Sequence, residues 1–388
     1  MSLNLNFSES INWRLKSHDF DKKPIPHRPW DPKVIASVIE LSSFILKQKV
    51  LTEKKEITAF AFWFNASKLE QLSVSYKPKF AIARLAARVF HIGPSGSDIG
   101  YLYTLLFSVL CGNQCILYVN QRASNISQVL AEVLAIYGRT RAGRCLAERL
   151  AIVEYPEQMN YVSQCLMDWA DLSVRWGSSG EAVSNGHTIQ PPSIVRIPYQ
   201  YSCALLSIQR KKDADQIAKD FLADLLPFEQ QASASPRAIY WYETTQENQK
   251  AFWQSLHKHL GCFKSDFSIK HKVAQRTTYR FLLNHFSDYI CNPLRTVGAL
   301  SVCTMAKITA GCFAAHKGQG LLYETGFDIH AFTEVQPQLF QLIINFELCD
   351  RLALPNVKLV KLGQATQFDY KRDKLNFAQL FLSIQHGI

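Results

Sequence analysis

The stretch between residues 91 and 124 constrains the fold of this chain more than any other. It opens with HIGPSGSDIG, where glycine and serine interrupt all periodicity, and passes into YLYTLLFSVLC, an apolar run over Tyr101 to Cys111. A helix that is apolar all round has to be buried on every side. Gly112-Asn113 then supplies a stop signal, and CILYVN (115–120) is a continuous apolar run of strand length before the polar exit QRAS. A turn, a buried helix, a short break and a buried strand make one unit of an α/β sheet.

The rest of the chain repeats that alternation. Asp31 before Pro32 caps a helix with apolar spacing Val34, Val38, Leu41, Phe44, Ile45, and a second helix is predicted over 79–89. After the 91–124 unit come a helix over 127–137, the strand LAIVEY (150–155), a helix over 157–167 and the strand LSVRWG (172–177). A second series follows a helix at 213–225. It contains the strand AIYWYET (238–244), a helix over 246–260 with Phe252, Leu256 and Leu260 on one face, and a strand over 296–302. The last third predicts a helix over 335–353, a strand over 357–363 and a helix over 375–384. Strands alternating with helices in this way predict an α/β fold with doubly wound parallel sheets.

Composition narrows the function classes. The 388 residues are 47% hydrophobic and 19% charged, enough for two packed domains and unlike a disordered chain. No stretch approaches eighteen uncharged apolar residues, so no membrane span is expected. The opening MSLNLNFSESINWRLKSHDF lacks the apolar core of an export signal, so the cytoplasm is the expected compartment. Ten cysteines without a CxxC pair read as small buried hydrophobes and not as a disulfide framework or metal site. The net charge of +11 fits a solvated basic surface or an anionic cofactor or substrate; no finger, helix-turn-helix or RNP pattern points to a specific nucleic acid.

No GxGxxG, Walker A, GxSxG or HExxH motif is complete. What remains is a set of strand-end turns: GPSGSDIG (93–100), WGSSGEAV (176–183), QQASASPR (230–237) and YETGF (323–327). In this order the chain resembles the acyl-CoA reductase family that includes the fatty-acyl reductase of the bacterial bioluminescence complex, a branch of the aldehyde dehydrogenase superfamily. The resemblance rests on Pro94-Ser95, the 101–111 helix with Gly112-Asn113, and Asn120-Gln121-Arg122-Ala123-Ser124. It continues through Trp176-Gly177-Ser178-Ser179-Gly180-Glu181-Ala182, Gln230-Gln231-Ala232-Ser233-Ala234-Ser235-Pro236, Leu322-Tyr323-Glu324-Thr325-Gly326 and Val360 to Phe368, so it spans roughly 90–380.

The resemblance implies an aldehyde-dehydrogenase-like fold of two Rossmann-type domains: a nucleotide-binding domain over 1–226, to which 366–388 returns, and a catalytic-type domain over 227–365. It implies NADPH-dependent reduction of an acyl thioester to an aldehyde through an acyl-enzyme. The donor would be acyl-CoA or an acyl-protein, an acyl-transferase or synthetase is an implied partner, and homo-oligomers are compatible with it. The family's nucleophilic cysteine corresponds to Ser233. Cofactor contacts are implied for Ser95, Arg122, Ser124, Gly177, Ser178, Ser179, Glu181 and Glu324. Each has a plainer reading: Ser178, Ser179 and Glu181 equally fit a capped turn, and Arg122 a solvated strand end.

The chain departs from the family at two points. A serine hydroxyl is far less acidic than a thiol and needs an adjoining base, for which His257, His259 and His285 are candidates through folding. The superfamily's oxyanion-stabilising asparagine is also missing, since no Asn occurs over 91–112. A homologue that keeps the fold without reduction, an enzyme with an altered nucleophile and an engineered cysteine-to-serine variant all fit, as does a non-catalytic acyl- or partner-binding subunit.

Overall fold

The computed structural model describes residues 11–16, 26–76, 84–85, 87–95, 99–178, 193–262, 269–347, 354, 357–369, 371–372 and 375–384. The chain divides into two units, Met1–Tyr199 with Phe368–Ile388, and Gln200–Gln367.

The first unit opens with β1 (Asn12–Leu15), β2 (Pro26–His27) and four helices, α1 (Pro32–Leu46), α2 (Lys49–Thr52), α3 (Lys55–Trp63) and α4 (Ala66–Tyr76). Helix α1 starts where the Lys33 N–H donates to the Asp31 carboxylate at 2.9 Å, with Pro32 in the first turn, and it buries Val34, Val38, Leu41 and Ile45. Then come β3 (Arg84–Leu85), β4 (Arg88–Ile92), α5 (Gly100–Leu110), β5 (Gln114–Tyr118), α6 (Asn125–Gly138), α7 (Arg144–Ala147), β6 (Leu150–Glu154), α8 (Asn160–Trp169), β7 (Leu172–Ser178) and β8 (Ser193–Pro198). The strand order is β1-β6-β5-β4-β7-β8, parallel except for β1. Every residue of α5 is buried, as its uniform apolarity requires, and Gly112 ends it at φ +85°.

The second unit comprises β9 (Tyr201–Leu206), α9 (Ala214–Leu225), β10 (Pro236–Trp241), α10 (Gln246–Cys262), α11 (Ile269–Phe286), β11 (Arg295–Val297), β12 (Leu300–Thr304), β13 (Leu321–Gly326), α12 (Ile329–Val335), β14 (Leu339–Ile344) and β15 (Leu359–Lys361). Its sheet runs β11-β12-β13-β10-β9-β14-β15, parallel except for β11. Successive residues alternate between two cores. Ala204, Leu206, Ile239 and Trp241 meet Phe221, Phe252 and Leu256 on one face, and Cys203, Leu205, Ala238 and Tyr240 meet Leu282, Phe313 and Phe332 on the other. The chain closes in the first unit with β16 (Lys371–Arg372), β17 (Leu375–Asn376) and α13 (Phe377–Leu382), where Asn113 Nδ2 donates to the Phe381 carbonyl at 3.1 Å. No helix among the described residues is long and apolar enough to cross a membrane.

Four sequence expectations change. The helix over 79–89 is replaced, within the described residues, by the strands β3 and β4. The single strand over 296–302 is the hairpin β11–β12, turned at Gly298 with φ +59°. The helix over 335–353 gives way to β14, which lies between β9 and β15. A strand buried on both faces is continuously apolar, so short runs such as LFQLII do not show period 2. The units divide at Tyr199/Gln200, not at 226, because β9 and α9 belong to the second sheet and its core.

Candidate functional site

In the first sheet the chain proceeds outward from β4 to β5 and β6, then returns to the other side of β4 for β7 and β8. Strand order therefore reverses at β4/β7, and open α/β sheets bind ligands in the crevice at the carboxyl ends beside such a reversal. Two of the four strand-end turns, 93–100 and 176–183, meet there with the exit of β5. The Gly93 N–H donates to the Tyr118 carbonyl at 3.0 Å, which ties the exit of β4 to that of β5. A Cβ on Gly93 would lie 3.0 Å from that oxygen, and one on Gly177, at φ +74°, 3.2 Å from Pro94 Cβ. Glycine lets the three exits approach one another.

Ser95 is exposed in the bend after β4. Arg122 follows β5, its side chain 75% exposed with a carboxylate oxygen of Glu157 at 3.8 Å, and its backbone N–H donates to Asn120 Oδ1 at 2.8 Å. Ser124 caps α6, accepting from the Ser127 N–H at 3.2 Å. Gly177 and Ser178 end β7 at a register shift against β8. Ser179 and Glu181 lie outside the described residues, as do 96–98; the resemblance puts the oxyanion asparagine between about Ser95 and Ser97, so that stretch is described only at Ser95.

In the second unit Ser233 is 3% exposed at the amino end of β10. The turn before it is strained: Phe228, Glu229 and Gln230 all hold left-handed φ of 55°, 54° and 63°, a region costing non-glycine residues roughly 1–2 kcal/mol each. Long-range hydrogen bonds fix it. Gln230 Nε2 donates to the carbonyls of Pro236 (2.9 Å) and Leu321 (2.6 Å), and its Oε1 accepts from the Gly320 N–H (2.7 Å). The loop HKGQG lies against this turn, with Gly318, Gln319 and Gly320 at φ 78°, 60° and 82° and the Gln319 N–H donating to the Glu229 carbonyl at 2.9 Å. A Cβ on Gly318 would stand 2.1 Å from the Gln230 carbonyl oxygen. Ser202 Oγ on β9 donates to the Ser233 carbonyl at 2.7 Å.

The candidate histidines are engaged elsewhere. His259 Nε2 is 2.8 Å from Asp215, and His285 Nδ1 is 2.9 Å from the Phe281 carbonyl of its own helix. His257 lies beside the Gly298 turn. The histidines at the Ser233 turn are His271, 2.8 Å from Glu229, and His316, whose Nδ1 accepts from the Gly318 N–H at 3.0 Å and whose carbonyl accepts from the buried guanidinium of Arg237. Burial, reinforced by the Arg237 charge, holds His316 well below the usual imidazole range. Burial likewise raises the Cys203 thiol, against its thiolate form.

Glu324 on β13 is 6% exposed, and four protein donors engage its carboxylate. Trp241 Nε1 (3.1 Å) and Trp253 Nε1 (3.0 Å) donate to Oε2, and Arg295 (2.8 Å) and Thr304 Oγ1 (2.7 Å) donate to Oε1. Trp241 and Trp253, both buried, therefore serve as core residues and as donors.

Two parallel-dominated sheets wound on both faces, with these strand-end turns, define an aldehyde-dehydrogenase-type architecture. Three solved structures share the fold. Thermus 1-pyrroline-5-carboxylate dehydrogenase with bound NAD gives a TM-score of 0.59 at 10% identity over 92% of this chain and 82% of that one. Lactaldehyde dehydrogenase gives 0.53 at 10% over 86% and 76%. Bradyrhizobium japonicum proline utilization A gives 0.58 at 10% over 89% and 42%. The chain spans only about 38% to 42% of the length of the proline utilization A proteins it matches. No curated protein matches the chain by sequence. The family model for acyl-CoA reductase (LuxC) matches residues 66–281, more than half of the sequence, and the chain belongs to that family.

Proposed function

We propose that this chain binds NADPH and an acyl thioester as an acyl-CoA reductase does, with Ser233 in the nucleophile position and reduction slow in consequence. The observation that carries the reading is the strained turn that presents Ser233 at the head of β10, in a chain of the acyl-CoA reductase family. The chemistry divides into acyl capture and acyl release. In capture, the Ser233 oxygen attacks the thioester carbon, an ester forms, and the donor leaves as its thiol. In release, the acyl carbon gains a hydride, the ester C–O bond breaks, the Ser233 oxygen takes up a proton from solvent to replace the one lost with the thiol, and an aldehyde departs. A bound nicotinamide supplies the hydride that this release requires.

The turns at β4, β5 and β7 fit such a group. Gly93 and Gly177 leave no side chain in the crevice, and the first N–H groups of α5 follow the β4 exit, a favourable place for a phosphate. The exposed Arg122 guanidinium suits a 2′-phosphate and favours NADPH over NADH. Ser95, Ser124 and Ser178 would flank the cofactor, with Ser179 and Glu181 included by resemblance. Glu324 has the role implied for it only if one of its present donors gives up an acceptor position. The likeness to a dehydrogenase with bound NAD supports the same choice of cofactor class. An acyl-CoA or acyl-protein donor, an acyl-transferase or synthetase supplying it, and a cytoplasmic location complete the proposal.

The serine also favours a second reading, a non-catalytic acyl- or partner-binding subunit. Fluorescence titration with NADPH and aldehyde release from acyl-CoA, measured on one preparation, separate the two. Cofactor binding with turnover well below roughly one per second is expected of the first reading. NADPH binding with no aldehyde at all selects the subunit, and absence of NADPH binding at millimolar concentration overturns the cofactor assignment. Ser233→Cys tests the nucleophile position: the new thiol should react with acyl-CoA faster than the existing cysteines, and equal rates would refute the placement.

A further inference from the structure

Helix α11 is inverted relative to an ordinary surface helix. Its inward face is polar: His271 meets Glu229 (2.8 Å), Gln275 donates to the Gln319 carbonyl (2.7 Å) and accepts from Ser301 Oγ (2.6 Å), and Thr278 donates to the Ala315 carbonyl (3.1 Å). Leu282 alone supplies a fully buried apolar anchor there. The apolar residues Ile269, Val273 and Leu283 instead face outward, 84%, 59% and 43% exposed. At about 100° per residue these three, with the exposed Arg276 and Arg280, occupy an arc of about 80° that extends about 21 Å along the axis.

The charge on this face is one-sided. The 18 residues of α11 include Lys270, Lys272, Arg276 and Arg280 and no Asp or Glu. Lys270, Arg276 and Arg280 form no ion pair among the described residues. A helix that carries basic and aliphatic residues together on its free face, with no acidic residue, is complementary to an anionic lipid surface, where the long arginine stems carry their charges to the phosphates while the aliphatic groups enter the acyl boundary. A protein partner would be met by a central apolar cluster that excludes water. Here Ile269 and Leu283 lie at opposite ends of the face with the arginines between them.

We propose that the outer face of α11 is a docking surface for anionic membranes, which holds the protein peripherally against the bilayer. The test is co-sedimentation of the full chain with vesicles of phosphatidylcholine plus phosphatidylglycerol, against vesicles of phosphatidylcholine alone. Binding is expected only to the former and should weaken with salt. Each basic residue near the surface is worth about fivefold in affinity, so Arg276→Glu with Arg280→Glu should lower binding by at least about tenfold. Arg276→Lys with Arg280→Lys should retain it. Ile269→Asp with Val273→Asp should also abolish it, and all these positions being exposed, melting temperatures should stay unchanged. No binding to phosphatidylglycerol vesicles, or binding indifferent to these substitutions, would overturn the proposal. So would a concentration-dependent dimer that the same variants dissociate, since a second copy would then cover the face.

Discussion

Replacing Glu324 by alanine should destabilise the second unit severely. The substitution strips the acceptor from two indole N–H groups, one hydroxyl and one guanidinium. Thr304 can rotate towards another acceptor, and Arg295, whose side chain is 40% exposed and whose guanidinium carbon lies 4.7 Å from the centre of the Trp253 ring, can rehydrate. The indoles of Trp241 and Trp253 are held by packing and cannot. Each buried donor left without a partner costs about 1–3 kcal/mol, so the two indoles together cost about 2–6 kcal/mol. For a unit of this size that corresponds to a fall in melting temperature of about 4–24 °C. Glu324→Gln keeps the shape and one acceptor oxygen but turns an NH2 towards two of the donors, so it should fall between alanine and wild type. Calorimetry of the whole chain, with tryptophan emission as a local probe, measures both. An alanine variant within about 1 kcal/mol of wild type would refute the claim that this carboxylate organises the network.

His91 on β4 is fully buried with neither ring nitrogen bonded among the described residues, and burial pushes its pKa down to about 3. Its neutral form is required in the fold, so stability should be complete above the unfolded value of 6.5 and fall as pH drops towards 3, by up to about 1.4 kcal/mol per pH unit. In His91→Leu the urea midpoint should lose that slope; an unchanged slope would assign it to other groups. Gly318→Ala should cost more than about 2 kcal/mol, because the new Cβ meets the Gln230 carbonyl at a left-handed φ. Gly261→Ala, where a Cβ meets nothing within 4 Å, should be neutral or stabilising. Equal melting shifts for the two glycine variants would show that the Ser233 turn does not depend on the loop beside it.

Local chemistry made much of the architecture legible from sequence alone. A helix without a polar face over 101–111 had to be buried, Asp31-Pro32 had to begin a helix, and glycine at 112 permitted the left-handed stop that follows α5. These are properties of neighbouring residues, and the alternation they create already predicts doubly wound sheets and the ends at which their turns gather. The same rules failed at 79–89 and 335–353, because a short strand buried on both faces has the composition of a buried helix and only its partners distinguish them. Partners are a tertiary property. Gln230 is bonded across a separation of 91 residues to Leu321, Trp241 reaches Glu324 across 83, and Ser202 reaches Ser233 across 31. No local pattern predicts that Gln230 locks a strained turn, that Glu324 collects four donors, or that His271 and His316, not the three histidines favoured by sequence, stand beside that turn. The sequence determined which segments had to be buried and where the chain had to turn. The tertiary structure decided which polar groups meet, since their pairing depends on strands and helices brought together from distant parts of the chain.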